Sequence, residues 1–245
     1  MIEHKLIDCR KTTNVSTLID MAIKLAQHWN KTSEIPLIIS AVNTQYFQPI
    51  ITRELIEILS TNEIKRYLSH KHTNTRINFC VARVILRAFA SYTLDIKANE
   101  IQVFMKKNGK PYIIGNKIRF NVTHSGTVTM IAFDKSREIG IDVEEIKFFS
   151  EWQSLAMDLF GYTDVMDITS LSRDLRIYGF YRKWTQYESM GKAVGCGLSI
   201  LKDHNSKSTS LEKIKRRNNI IGCSIESING YTGYCSIVDR KNGQH

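Results

Sequence analysis

Apolar positions recur along this chain in two periods, and the change from one to the other organises it. Near the start, Leu18, Met21, Ala22, Leu25 and Ala26 follow helical spacing, which predicts a helix from Val15 to Trp29. A run that is apolar at nearly every position, Ile35 to Val42, predicts a buried strand opened by Pro36. Two helices are predicted next, Thr52 to Ser69 and Arg76 to Tyr92, the second with Val81, Val84, Ile85 and Phe89 on one side. Beyond Ala98 the pattern shortens to strands: Ile101 to Phe104, Tyr112 to Ile114, Arg119 to Thr123, Thr127 to Phe133 and Glu138 to Glu144. Turn residues at Asn108-Gly109, Ser125-Gly126 and Asp134-Lys135-Ser136 separate them. Helices are expected again at Glu151 to Leu159 and Tyr178 to Ala193, then strands at Ile220 to Ile225 and Gly233 to Val238. Periodicity alone therefore predicts a mixture of α and β.

Composition narrows the class of molecule. The chain has 245 residues, 42% hydrophobic and 24% charged, ordinary for a globular protein and long enough for one large domain or two of common size. No apolar run approaches the ~20 residues of a membrane span, so no membrane partner is expected. The opening Met1-Ile2-Glu3-His4-Lys5 lacks the features of a secretory signal, and the expected compartment is the cytoplasm. Five scattered cysteines, without any Cys-x-x-Cys spacing, read as reduced thiols. The net charge of +10 attracts anions in general. Its densest basic segment, Lys202 to Arg217, lacks the interleaved aromatics of a nucleic-acid module. That segment is expected to be a solvated loop, with no nucleic-acid partner.

The candidate chemistry lies in the second half. In a strand, Asp142 and Glu144 of Gly140-Ile141-Asp142-Val143-Glu144 share one face while Ile141 and Val143 take the other. On a helix, Trp184, Glu188 and Lys192 stack in one line, which brings a third carboxylate and a cation to a common side. Taken alone, two solvated acids and a surface Glu188–Lys192 pair would be the plainer reading. Together they suit a hard divalent cation and a phosphorylated ligand.

Four blocks, in order, resemble the 4′-phosphopantetheinyl transferases of the Sfp type. They are Gly109-Lys110-Pro111 with Tyr112 and Ile113, then Phe120 to Gly126 (Phe-Asn-Val-Thr-His-Ser-Gly), then Gly140 to Glu144, and finally Trp184 to Lys192 with Gly197-Leu198-Ser199 after it. The resemblance covers roughly residues 35 to 240. It implies an α+β fold of two similar halves related by a pseudo-twofold axis. Residues 1–34 then form an added helical extension, 35–137 the first half and 138–245 the second.

The resemblance further implies that the protein moves the 4′-phosphopantetheine group of coenzyme A to a serine of an apo acyl or peptidyl carrier protein. Holo carrier and 3′,5′-ADP are the products, Mg²⁺ is required, and the enzyme is a monomer. It implies Asp142, Glu144 and Glu188 as metal ligands, with Glu188 also a candidate general base and Lys192 a cation for the pyrophosphate. Lys110, Pro111, Thr123, His124, Ser125 and Arg76 are implied as coenzyme contacts, and Trp184 as a packing anchor. Two positions depart from the family: Tyr187 and Cys196 stand where lysines are common. They leave open an alternative, a homologue that binds coenzyme A or carrier proteins without turnover. Nucleic-acid binding through the basic surface has only composition behind it.

Overall fold

The computed structural model describes residues 2–32, 35–115, 118–197 and 211–239. The chain forms two compact units, Met1–Lys106 with Pro111–Ser136, and Lys107–Lys110 with Arg137–His245.

Unit 1 is built on a four-stranded sheet of β1 (Glu3–Asp8), β2 (Leu37–Val42), β6 (Val128–Asp134) and β5 (Arg119–Ser125), in that order. β1 and β2 are parallel, joined through helix α1 (Val15–Lys31), and the other pairs are antiparallel. A separate two-stranded ribbon pairs β3 (Val103–Met105) with β4 (Pro111–Ile113). The long helix α4 (Thr73–Leu94) packs on α1 and on β6, and its apolar length serves the core. There Phe89 stacks on Phe133 with centroids 3.9 Å apart, and Trp29 tilts against both at 5.3 and 6.4 Å. Asn14 caps α1 by accepting the Thr17 amide.

The predicted helix from Thr52 to Ser69 is in fact two, α2 (Arg53–Ile58) and α3 (Thr61–Ser69). The break has a local cause. Ser60 accepts the Glu63 amide while the Glu63 carboxylate accepts the Ser60 amide, a reciprocal cap that starts a new helix. Ser60→Ala is expected to cost about 1 kcal/mol, read as a fall of about 2–4 °C in Tm.

Unit 2 carries a three-stranded antiparallel sheet, β7 (Ile139–Glu145), β9 (Tyr231–Val238) and β8 (Ile220–Ile225), with β9 central. Helix α7 (Arg176–Val194) packs on β7 and β9. Helices α5 (Trp152–Leu159), α6 (Tyr162–Ser170) and α8 (Leu211–Asn218) enclose a second core of Trp152, Phe160, Phe180, Tyr187, Met190 and Ile214. The basic segment from Lys202 to Arg217 is therefore not all loop. Its described part from Leu211 is helical, because Leu211 and Ile214 are buried and the Leu211 amide donates to Asp164. The earlier part of that segment, and Leu198 and Ser199 of the Gly-Leu-Ser block, lie outside the described residues.

Candidate active site

The unit 2 site begins with a glycine. Gly140, Asp142 and Glu144 share one face of β7, and this is the face on which α7 lies. A Cβ at Gly140 would overlap the backbone oxygen of Ser189 and the backbone nitrogen of Ala193. The missing side chain thus allows strand and helix backbones to touch. Ser189 and Ser236 hydroxyls, 2.8 Å apart, close the contact from β9.

The start of strand β7 lies against the last turns of helix α7. Gly140 meets Ser189 and Ala193, and Asp142 meets Lys192, whose ammonium donates to its Oδ1 at 2.6 Å. The Glu144 charge is felt at Tyr181, and together with burial it holds that phenol above its ordinary value. Asp142 is 3% exposed, so its ion pair with Lys192 is shielded from water.

Glu188 lies one turn before Lys192. Its carboxyl is raised above 4.5, first by burial and also by the negative charge of Asp142, while the Lys192 ammonium pulls it back. A carboxylate whose proton affinity is lifted toward neutrality is suited to accept a proton. The N-terminal end of this line is held by Trp184, stacked on Phe180 at 6.3 Å.

The three carboxylates are not preassembled as a cage: among the described residues no group of three or more His, Cys, Asp and Glu side chains stands ready for a metal ion. Asp142 and Glu188 influence one another electrostatically, whereas Glu144 acts on a residue two helical turns before Glu188. The donor chemistry still fits Mg²⁺. It is oxygen-only, two carboxylates converge, and Mg²⁺ takes one or two protein carboxylates with water and phosphate oxygens as the remainder.

Lys110, expected to contact coenzyme, is also bonded within unit 2. Its side chain is 8% exposed, and its ammonium donates to Glu138 Oε2 at 3.1 Å and to the carbonyls of Ile139 and Lys192, each at 2.9 Å. It joins the start of β7 to the end of α7. These bonds fasten the two elements that carry Asp142 and Lys192.

Tyr187 is also differently placed. It is fully buried, stacks on Phe160 at 5.2 Å, and donates to Asp164 Oδ2 at 2.6 Å. Asp164 further accepts from the Lys183 ammonium at 2.5 Å and from the Leu211 amide. The position preceding Glu188 thus points into the helical core, and its departure from lysine removes no cation from the Glu188 side of α7. Tyr187→Phe is expected to cost about 1–2 kcal/mol, seen as a fall in Tm, with kcat within twofold of wild type. A tenfold fall in kcat without loss of Tm would return Tyr187 to the site. Cys196 follows the Gly195 cap of α7, and its amide, with those of Gly195 and Gly197, donates to the Gly191 carbonyl.

The remaining expected contacts lie in unit 1. Thr123, His124 and Ser125 end β5 at the hairpin into β6. Asn78 of α4 donates to the Gly126 carbonyl at 3.0 Å and accepts from the Thr44 hydroxyl at 2.6 Å, and the Thr44 amide donates to Thr127. The turn is therefore held from two sides. Thr123 is buried, while His124 is exposed. Arg76 sits in the first turn of α4, 5.9 Å over the Tyr67 ring, and Pro111 opens β4.

Sequence reasoning missed the backbone contact at Gly140, the bonds of Lys110 to Glu138, Ile139 and Lys192, and the Asp164 hub. Only the first had a local signal, a glycine inside a strand pattern, which often marks close approach of another backbone.

Comparison with known proteins places these features. A family model described as 4′-phosphopantetheinyl transferase, N-terminal, matches residues 48–136, and one described as the 4′-phosphopantetheinyl transferase superfamily matches residues 138–230. The 4′-phosphopantetheinyl transferase HetI of Nostoc sp. is 29% identical over 168 residues, 66% of this chain and 70% of its own length. The 4′-phosphopantetheinyl transferase Sfp of Bacillus subtilis is 33% identical over 118 residues, 48% of this chain and 51% of its own length. The match thus spans from about half to 70% of these curated relatives.

Proposed function

Because this chain belongs to the 4′-phosphopantetheinyl transferase superfamily, we propose that it transfers the 4′-phosphopantetheine group of coenzyme A to a serine of an acyl or peptidyl carrier protein. The observation that carries the reading is the β7–α7 pairing, with Asp142 tied to Lys192 beside a Glu188 of raised proton affinity.

The reaction breaks the pyrophosphate bond of coenzyme A and forms a phosphodiester to the serine oxygen. Glu188 takes the serine proton, directly or through a water, and Lys192 stabilises the phosphate charge that leaves on 3′,5′-ADP. Mg²⁺ held by Asp142 and Glu188, with Glu144 as a further oxygen, would neutralise pyrophosphate charge. Gly140 and Lys110 keep the strand and helix that present these groups in register. Thr123, His124, Ser125 and Arg76 are the unit 1 residues we assign to phosphates of coenzyme A, as hydroxyl, imidazole and guanidinium donors.

Intact-mass spectrometry of an apo carrier protein incubated with this protein, coenzyme A and Mg²⁺ tests the reading. A gain of about 340 Da, the phosphopantetheine group, is expected. No gain across acyl and peptidyl carriers, with coenzyme A still bound, would leave the binding-only alternative standing.

A further inference from the structure

On β9, Ser236, Tyr234 and Thr232 stand directly opposite Gly140, Asp142 and Glu144 of β7, so these six positions share the face on which α7 lies. Buried hydroxyls gather there: Ser236 and Thr232 from the strand, Ser189 from the helix and Thr185 one turn before it. Three of them are bonded. Ser189 and Ser236 hold each other, Ser189 also reaches the Gln186 carbonyl at 3.0 Å, and Thr185 donates to the Arg182 carbonyl at 3.2 Å.

Thr232 is the exception. It is 0% exposed, yet its Oγ1 meets no hydrogen-bond partner among the described residues. A buried hydroxyl in this state costs stability and calls for an explanation. Packing alone does not supply one, because valine has nearly the same shape, favours strands and carries no polar atom.

The side chain directly across the strand pair is Glu144. Such pairs stand about 5 Å apart at Cβ, within reach of one another. Glu144 is partly buried, and its charge acts on the Tyr181 phenol of α7, which puts its carboxylate on the α7 side of the sheet with Thr232. A carboxylate offers about four lone-pair sites, so a bond from one hydroxyl leaves oxygen available to a cation. Carboxylates that ligate metals are themselves hydrogen-bonded as a rule, and the donor fixes their orientation.

We propose that Thr232 is a positioning residue for the metal: its hydroxyl donates to the Glu144 carboxylate and holds it in the orientation that binds the cation. The inference rests on the Mg²⁺ site proposed above and adds to it a residue outside the ligand set. Thr232 acts through Glu144 and does not touch the reacting atoms.

The test is Mn²⁺ binding to the protein with coenzyme A, with Mn²⁺ as the spectroscopically visible substitute for Mg²⁺. Unbound Mn²⁺ is read from its EPR signal, and binding to coenzyme A alone is subtracted. Thr232→Val, which removes the hydroxyl at nearly constant shape, is expected to raise the Mn²⁺ Kd by about 10- to 100-fold. Its Tm without metal should equal or exceed that of wild type, since no bond is lost. Thr232→Ser, which keeps the hydroxyl, should hold the Kd within about threefold of wild type. In a Glu144→Gln background, Thr232→Val should change the Kd by less than about twofold, because the two residues act as a unit. The inference is overturned if Thr232→Val binds Mn²⁺ as tightly as wild type, if Thr232→Ser is as weak as Thr232→Val, or if valine weakens binding equally with and without Glu144. Wild type that binds no Mn²⁺ beyond coenzyme A alone would overturn the metal site as well. A weakened Thr232→Val in a protein that modifies no carrier would uphold this inference and sink the transfer reading.

Discussion

Glu188→Gln is expected to lower carrier modification by about 10²- to 10⁴-fold and to leave Tm unchanged or higher. The two effects have one cause. Burial disfavours the charged carboxylate and raises its proton affinity, which suits a base and works against the folded state at neutral pH. Because the folded value is raised, the stability linked to Glu188 is fully present below the unfolded value, here 4.5, and is lost as pH rises through the folded value. Glutamine does not titrate, so the stability of the variant relative to wild type should increase with pH across that window. The acid limb of kcat/KM in wild type should likewise lie above pH 4.5 and vanish with the rate in the variant. Coenzyme binding should persist, since the Lys192–Asp142 pair needs neither oxygen of Glu188. Activity within tenfold of wild type, with the acid limb in place, would move the base elsewhere.

The parts of the site that were legible in the sequence are those set by local periods. Asp142 and Glu144 share a strand face and Glu188 and Lys192 a helix line, whatever the rest of the chain does. Which side of α7 faces the strand is settled by partners far away in sequence. Tyr187 looked like a lost site cation until Phe160 and Asp164 drew it into the core. The acceptors of Lys110 include groups of Glu138, Ile139 and Lys192, which no local period connects to it. Strand β1 escaped notice because Glu3-His4-Lys5-Leu6 shows no alternation of its own, and its pairing to β2 depends on the return of the chain through α1. Helix α6 is short and rich in Thr and Asp, which are weak helix formers, and it is held by Asp164 bonding to α7 and α8.

Gly140→Ala is expected to be far more damaging than its one added methyl suggests. In an open strand alanine would be neutral or mildly favourable, since glycine there carries an entropic cost. Here the new Cβ overlaps Ser189 O and Ala193 N and stands 3.0 Å from Ala193 Cα, all of them helix backbone. A side chain can rotate away from a clash, but a helix must move as a body. The loss should reach at least about 3 kcal/mol, a fall in Tm of more than about 6 °C. Displacing α7 also separates Glu188 and Lys192 from Asp142, and misplacement by ~1 Å can cost 10²-fold in rate. Gly109→Ala separates space from backbone conformation. Gly109 has φ +81° and open space around its Cβ position, so alanine there should cost only about 1–2 kcal/mol of left-handed strain. A second control follows from the identity of the clashing atoms. Because they belong to the backbone, Ala193→Gly in the Gly140→Ala background should restore neither Tm nor activity. Recovery in that double variant would mean that side-chain crowding, and not the approach of two backbones, sets the spacing between β7 and α7.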